Sequence, residues 1–313
     1  MPKVLILSRD AEEYYQRIEA AHLPALEKLA AAKNIDEALA LGNDFDIIFG
    51  EPKRMRGILA MLPNLRWAQS TWAGVELLLD PALRRDYALT KASGIYGILM
   101  SEYVFGYMLF HERRMLERLQ AQKEKRWDES ITGSLRGKTI GLLGVGSVGA
   151  HLARTAKHFG MTVRGYTRAS EACSEVDEYF HGEALFDFAA GLDYLIGVLP
   201  TTDSTRHIVD AALLERLPAQ AVFINVGRGA TVDDSALINA LGNQKLALAV
   251  LDVFKQVPLP TDHPFWQTPN LLMTFHTSGP SLPGDLSLVF IENYNRYING
   301  QPLLHQVDFE RGY

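Results

Sequence analysis

Short apolar runs alternate along the chain with longer segments in which apolar residues recur every three to four positions. KVLILS (3–8), FDIIFG (45–50), LRWAQS (65–70), TIGLLG (139–144), TVRGY (162–166), YLIGVLP (194–200), AVFINVG (221–227), ALAVLDVF (247–254) and LLMTF (271–275) read as strands. Helical spacing marks EYYQRIEAAHLPALEKLA (13–30), VGAHLARTAKHFG (148–160) and DDSALINALGN (233–243). Strands alternating with helices imply parallel sheets covered by helices on both faces. TIGLLG is apolar on both alternating sets of positions, as a central strand must be. In the helix after it, Val148, Leu152, Ala156 and Phe159 form one stripe that can pack on a sheet, and Gly160 ends it. A breaker-poor stretch from Ile98 to Trp127 turns charged in its second half and suits one long helix. The segment 282–301 reads as a helix able to return to the first domain.

A length of 313 residues favours two domains. The predicted boundaries are 1–97 plus 281–313 for a discontinuous domain and 98–280 for the domain inserted in it. The composition, 47% hydrophobic and 22% charged, is that of a globular protein. A net charge of -6 argues against nucleic-acid and anionic-membrane partners, which need a concentrated positive field. No apolar run reaches the roughly 20 residues needed to cross a bilayer. Cys173 is the single cysteine, which excludes an intrachain disulfide framework and cysteine-rich metal sites and fits a reducing, cytoplasmic setting. No metal site is expected.

Gly144, Gly146 and Gly149 form a G-x-G-x-x-G pattern directly after the TIGLLG strand and at the mouth of the amphipathic helix. This is the context in which glycines let backbone approach a pyrophosphate while a helix N-terminus faces its charge. Ser147 and Val148 complete that turn. An NAD site would end the next strand with an acid placed on the ribose hydroxyls. Here TVRGY is followed by Thr167, Arg168, Ala169 and Ser170. A guanidinium with hydroxyls beside it can bind a 2′-phosphate that an acid would repel, so NADP(H) is predicted over NAD(H).

The segments SLRGKTIGLLGVGSVG, LPTTDSTRHIV, INVGRGATVDDSALINAL, LDVF, PLP, HPFW and PNLLMTFH occur in an order that resembles the D-isomer-specific 2-hydroxyacid dehydrogenases. STWAGVE and SEYVFGYML extend the resemblance towards the N-terminus. Within the family the chain is most similar to the glyoxylate/hydroxypyruvate reductases of bacterial type A. The resemblance implies two doubly wound parallel-sheet domains, a Rossmann nucleotide-binding domain inserted in a flavodoxin-like substrate domain, and a homodimer. It implies NADPH-dependent reduction of small 2-keto acids such as glyoxylate and hydroxypyruvate. Arg228 matches the arginine that clamps the substrate carboxylate and keto oxygen, and His276 matches the acid/base histidine. Trp72, Ala73 and Gly74 match a loop whose amides receive the carboxylate. Leu199, Pro200, Thr205, Val226 and Asp252 fall in segments that line the cofactor, with Asp252 matching an aspartate near the carboxamide.

The family pattern D-V-F-x-x-E-P-L-P carries a glutamate that hydrogen-bonds the histidine, and its place here is taken by Val257. Valine can neither favour an imidazolium nor orient the ring. A slower or acid-shifted reductase is expected unless another group, with Gln256 the adjacent candidate, takes the part. The alternative is a protein that binds NADP(H) without turnover, as a sensor. A formate or phosphonate dehydrogenase on the same fold is a second enzymatic alternative.

Overall fold

The computed structural model describes residues 1–312 and divides into two compact units, Met1–Ile95 with Ser281 onward, and Tyr96–Pro280. The first unit is built from β1 (Lys3–Leu7), α1 (Ala11–Ala20), β2 (Lys28–Ala32), α2 (Ile35–Ala40), β3 (Ile47–Gly50), α3 (Pro52–Arg56), β4 (Trp67–Ser70) and β5 (Ala88–Thr90). Its five strands are all parallel in the order β2-β1-β3-β4-β5, the flavodoxin-like arrangement. Val4, Leu5, Ile6 and Leu7 are all fully buried, which is why β1 is apolar on both faces. The helix Pro283–Ile298 packs on this unit. Its Phe290 is fully buried and stacks on Phe49 and Trp67 at 4.7 and 5.3 Å between ring centroids. That burial contributes about 2–3 kcal/mol and explains why the chain's end belongs to its beginning.

The structure departs from the expected helix over 13–30. Pro24 cannot continue a helical hydrogen-bond ladder, and His22 (φ 48°) and Ala25 (φ 56°) turn the chain through the left-handed region on either side of it. Residues 28–32 then form the edge strand β2, with Ala30 and Ala32 facing the core.

The second unit opens with α4 (Gly97–Glu112) and α5 (Met115–Lys123). The single long helix expected here is broken because Arg114 takes a left-handed conformation, φ 53°. There follow β6 (Thr139–Leu143), α6 (Ser147–His158), β7 (Thr162–Tyr166), β8 (Glu178–Phe180), α7 (Leu185–Ala189), β9 (Tyr194–Gly197), α8 (Ala211–Leu214), β10 (Val222–Asn225), α9 (Asp234–Gly242), β11 (Leu248–Leu251) and β12 (Leu271–Met273). All seven strands are parallel, in the order β12-β11-β10-β9-β6-β7-β8. This is the Rossmann order, and the chain reverses direction of growth between β6 and β9, where open α/β sheets place ligands.

Candidate active site

At the reversal point, Gly144 turns the chain after β6 with φ 103°, and α6 begins one residue beyond Gly146. A Cβ at Gly149 would collide with the carbonyl oxygen of Gly144, so helix and strand approach as closely as backbone allows. A Cβ at Gly146 would meet nothing, and no side chain caps α6. The first-turn amides of Ser147, Val148 and Gly149 thus take no side-chain cap, next to the open space at Gly146, an arrangement that suits a pyrophosphate. Val148 packs partly against the core, and Ser147 is exposed.

Thr167, just past β7, is buried, and its hydroxyl donates to the Ser170 carbonyl at 2.7 Å. That bond folds the 167–170 loop and leaves Arg168 and Ser170 on the surface. Sequence reasoning missed two groups that close this loop. His181, just past β8, places Nδ1 at 3.0 Å from the Thr167 carbonyl and 3.1 Å from its hydroxyl. Its Nε2 lies 2.8 Å from the Glu171 carboxylate. The Glu171 hydrogen bond, followed by the Thr167 carbonyl, raises the imidazole's pKa above its ordinary value.

Beyond β9, Leu199 is half-buried and Pro200 exposed, and the Thr205 hydroxyl donates to the Pro200 carbonyl at 2.7 Å to close the loop. Beyond β10, Val226 is buried in the core. Arg228 follows, its carbonyl accepting from Asn225 Nδ2 at 3.1 Å and from Thr231 Oγ1 at 2.7 Å, while its Nη1 donates to the Gly227 carbonyl at 2.9 Å. A Cβ at Gly229 would overlap the backbone of Phe254, so only glycine lets the loops after β10 and β11 meet.

Asp252, just past β11 and only 1% exposed, organises the loop beyond β12. Oδ1 accepts from the Thr274 hydroxyl at 2.5 Å and the Thr277 amide at 2.8 Å, and Oδ2 accepts from the Ser278 amide at 3.0 Å. The Asp252 carbonyl accepts the amide of His276 at 2.9 Å. These bonds hold His276 at φ 59°, a conformation that costs a non-glycine residue about 1–2 kcal/mol. Tyr103 on α4 adds a further support, with its hydroxyl 2.6 Å from Thr274 Oγ1. Burial pushes the phenol's pKa well up, so Tyr103 stays protonated and donates to Thr274, which donates to Asp252. Neither Tyr103 nor Thr274 was singled out by sequence, since they are 171 residues apart.

His276 opens on a cavity of about 360 Å³ lined also by Asp252, Phe254, Val257, Pro258, Leu259, Trp266 and Phe275. Val257 thus lines the same cavity as the imidazole, and its neighbours there are mainly apolar. Among the described residues the His276 ring has no hydrogen-bond partner, and Gln256 is not part of the cavity wall. Arg228 is not among the lining residues either; it shares with His276 the carboxyl edge of the sheet, two strands away. His263 caps the turn Pro264–Gln267, its Nδ1 accepting from the Phe265 amide at 3.2 Å. No cluster of His, Cys, Asp and Glu able to hold a metal occurs among the described residues.

In the first unit, Trp72, Ala73 and Gly74 follow β4 on a loop fixed by Ser70, whose hydroxyl donates to the Trp72 carbonyl at 2.8 Å and accepts its amide at 2.9 Å. The Trp72 side chain is 42% exposed, so it is not core. Beneath the loop, Gln69 accepts from Thr90 and Asn293 in a fully buried polar chain.

A seven-stranded Rossmann sheet, a glycine turn at its reversal point and a histidine fixed at the carboxyl edge define a dinucleotide-dependent dehydrogenase fold. The family profile described as D-isomer specific 2-hydroxyacid dehydrogenase, NAD binding domain, matches residues 105–278. The chain belongs to that family of NAD(P)-dependent oxidoreductases. It is 31% identical over 277 residues to the glyoxylate/hydroxypyruvate reductase A of Yersinia enterocolitica, covering 86% of this chain and 88% of the relative. Among solved structures it resembles a D-isomer specific 2-hydroxyacid dehydrogenase family protein from Aeromonas salmonicida, with 42% identity and a TM-score of 0.93 over 99% of this chain and 100% of that one. A Xanthobacter autotrophicus family member in complex with NADPH and MES matches at 32% identity and TM-score 0.88, with full coverage of both chains.

Proposed function

We propose that this protein reduces small 2-keto acids, glyoxylate and hydroxypyruvate first among them, with NADPH as the reductant. The observation that carries this reading is the fixing of His276 at the edge of the cofactor sheet by the buried Asp252. The dinucleotide is held by the amides of Ser147, Val148 and Gly149, with Thr167, Arg168 and Ser170 at the adenosine end and Leu199, Pro200, Thr205 and Val226 along the strand ends. Bound NADPH supplies the hydride that reduces the keto carbon. Arg228 offers paired donors to the substrate carboxylate and stabilises negative charge developing on the keto oxygen. His276 hands that oxygen a proton. The amides of Ala73 and Gly74 donate to no other described residue and suit an anionic group.

This reading divides the chain's work between a dinucleotide-binding unit and a substrate-binding unit. It also includes a homodimer in the cytoplasm, supported by exposed Leu116, Leu119, Trp127 and Ile131 on and after α5; sedimentation at the mass of one chain would remove that part. No helix among the described residues is long and apolar enough to cross a membrane. The test of the activity is NADPH consumption with glyoxylate and with hydroxypyruvate. Turnover of either is expected, and turnover of neither contradicts the reading. Val257 beside a ring without a hydrogen-bond partner favours one second reading, a non-catalytic NADP(H)-binding protein. Tight NADPH binding without turnover of any small keto acid would select it.

A further inference from the structure

The loop after β7 carries Arg168 as its cation, and three residues on stands an acid, Glu171. A carboxylate near the place assigned to a 2′-phosphate opposes the binding of that phosphate. His181 reaches across from β8 and touches both sides of the problem. Its Nδ1 meets the Thr167 carbonyl at 3.0 Å and its Nε2 meets Glu171 at 2.8 Å. Both partners can only accept, so both ring nitrogens must carry protons for both bonds to form. The Thr167 hydroxyl gives its proton to the Ser170 carbonyl at 2.7 Å, which leaves its oxygen also as an acceptor towards Nδ1. The geometry therefore describes an imidazolium.

We propose that His181 and Glu171 form a pH-controlled determinant of cofactor choice, in which the imidazolium neutralises Glu171 and favours a dinucleotide bearing a 2′-phosphate. Loss of one ring proton takes the imidazolium's charge away from Glu171, so that the carboxylate opposes the 2′-phosphate and weakens NADPH relative to NADH. The inference rests on NADPH being the cofactor proposed above. Besides Glu171, the titratable group against the ring is Tyr179 on β8, stacked with centroids 6.2 Å apart; Arg168 stands next to Thr167 in the chain and Glu183 two residues beyond His181. The raised pKa of His181 agrees in direction. By linkage, a raised folded-state pKa makes the pairing complete at pH below the unfolded value and removes it as pH rises through the folded value.

The test is equilibrium binding of NADPH and of NADH to the full chain, read by dinucleotide fluorescence, between about pH 7 and about pH 9, where a phosphate with a second pKa near 6 is already doubly ionised. The wild-type preference for NADPH should fall by about fivefold across that range, the order of effect of one nearby unscreened charge at the protein surface. Glu171→Gln should bind NADPH tightly throughout, and His181→Gln should show the weaker preference at every pH; both positions are at the surface or near it. A wild-type preference that does not move with pH, or a slope that survives in His181→Gln, overturns the switch and leaves NADPH as cofactor. A chain that binds NADH as well as NADPH at every pH overturns the switch and the NADPH assignment together.

Discussion

At the carboxyl edge of one sheet, His181 lies between the Thr167 carbonyl and a carboxylate, whereas His276 lies in a mainly apolar cavity whose wall includes Val257. The first is the pairing that the family pattern leads one to expect at the second. A carboxylate beside an imidazole favours its charged form, and each unit of pKa so gained is about 1.4 kcal/mol. His276 is thus held through its backbone, in a loop braced by the Asp252 carboxylate, Thr274 and Tyr103, while among the described residues its ring has no ionic partner. The loop that carries the ring is braced, and the ring itself lacks the carboxylate that a glutamate at position 257 would bring.

Three substitutions break or sharpen that contrast. His276→Ala should lower the rate of keto-acid reduction by about 10² to 10⁴ while leaving NADPH affinity unchanged, because the contribution proposed for the ring is proton transfer. Turnover within a few-fold of wild type would remove His276 from the chemistry. Asp252→Asn should act on position: an amide in place of the carboxylate sets a donor against the Thr277 or Ser278 amide, costing about 2 kcal/mol of stability. With the His276 loop displaced, the rate should fall by about a hundredfold. Thermal unfolding and steady-state kinetics measured together check both. Val257→Glu should have the smallest effect, about tenfold in rate above neutral pH.

The sheets were legible in the sequence because buried parallel strands are apolar on both faces, as TIGLLG and AVFINVG are. Short edge strands carry little of that signal. β2 is Ala-rich and merges into a helical pattern, β5 and β8 are three residues each, and the break at Arg114 has no glycine or proline to mark it. The glycine turn was legible because spacing, strand and helix all lie within about thirty residues of chain. His181, Glu171, Tyr103 and Thr274 were not, since their contacts depend on the register of β7 against β8 and on α4 lying beside the loop after β12. Periodicity says nothing about such contacts.

The most direct measurement is the pH dependence of keto-acid reduction in Val257→Glu beside the wild type. In the proposed reaction reduction consumes a proton handed over by His276, so the rate falls as pH rises. A carboxylate in the same cavity should carry that fall about one unit higher in pH. Profiles that superimpose would show that the lining of this cavity does not govern proton delivery by His276, and would contradict the part given to Val257.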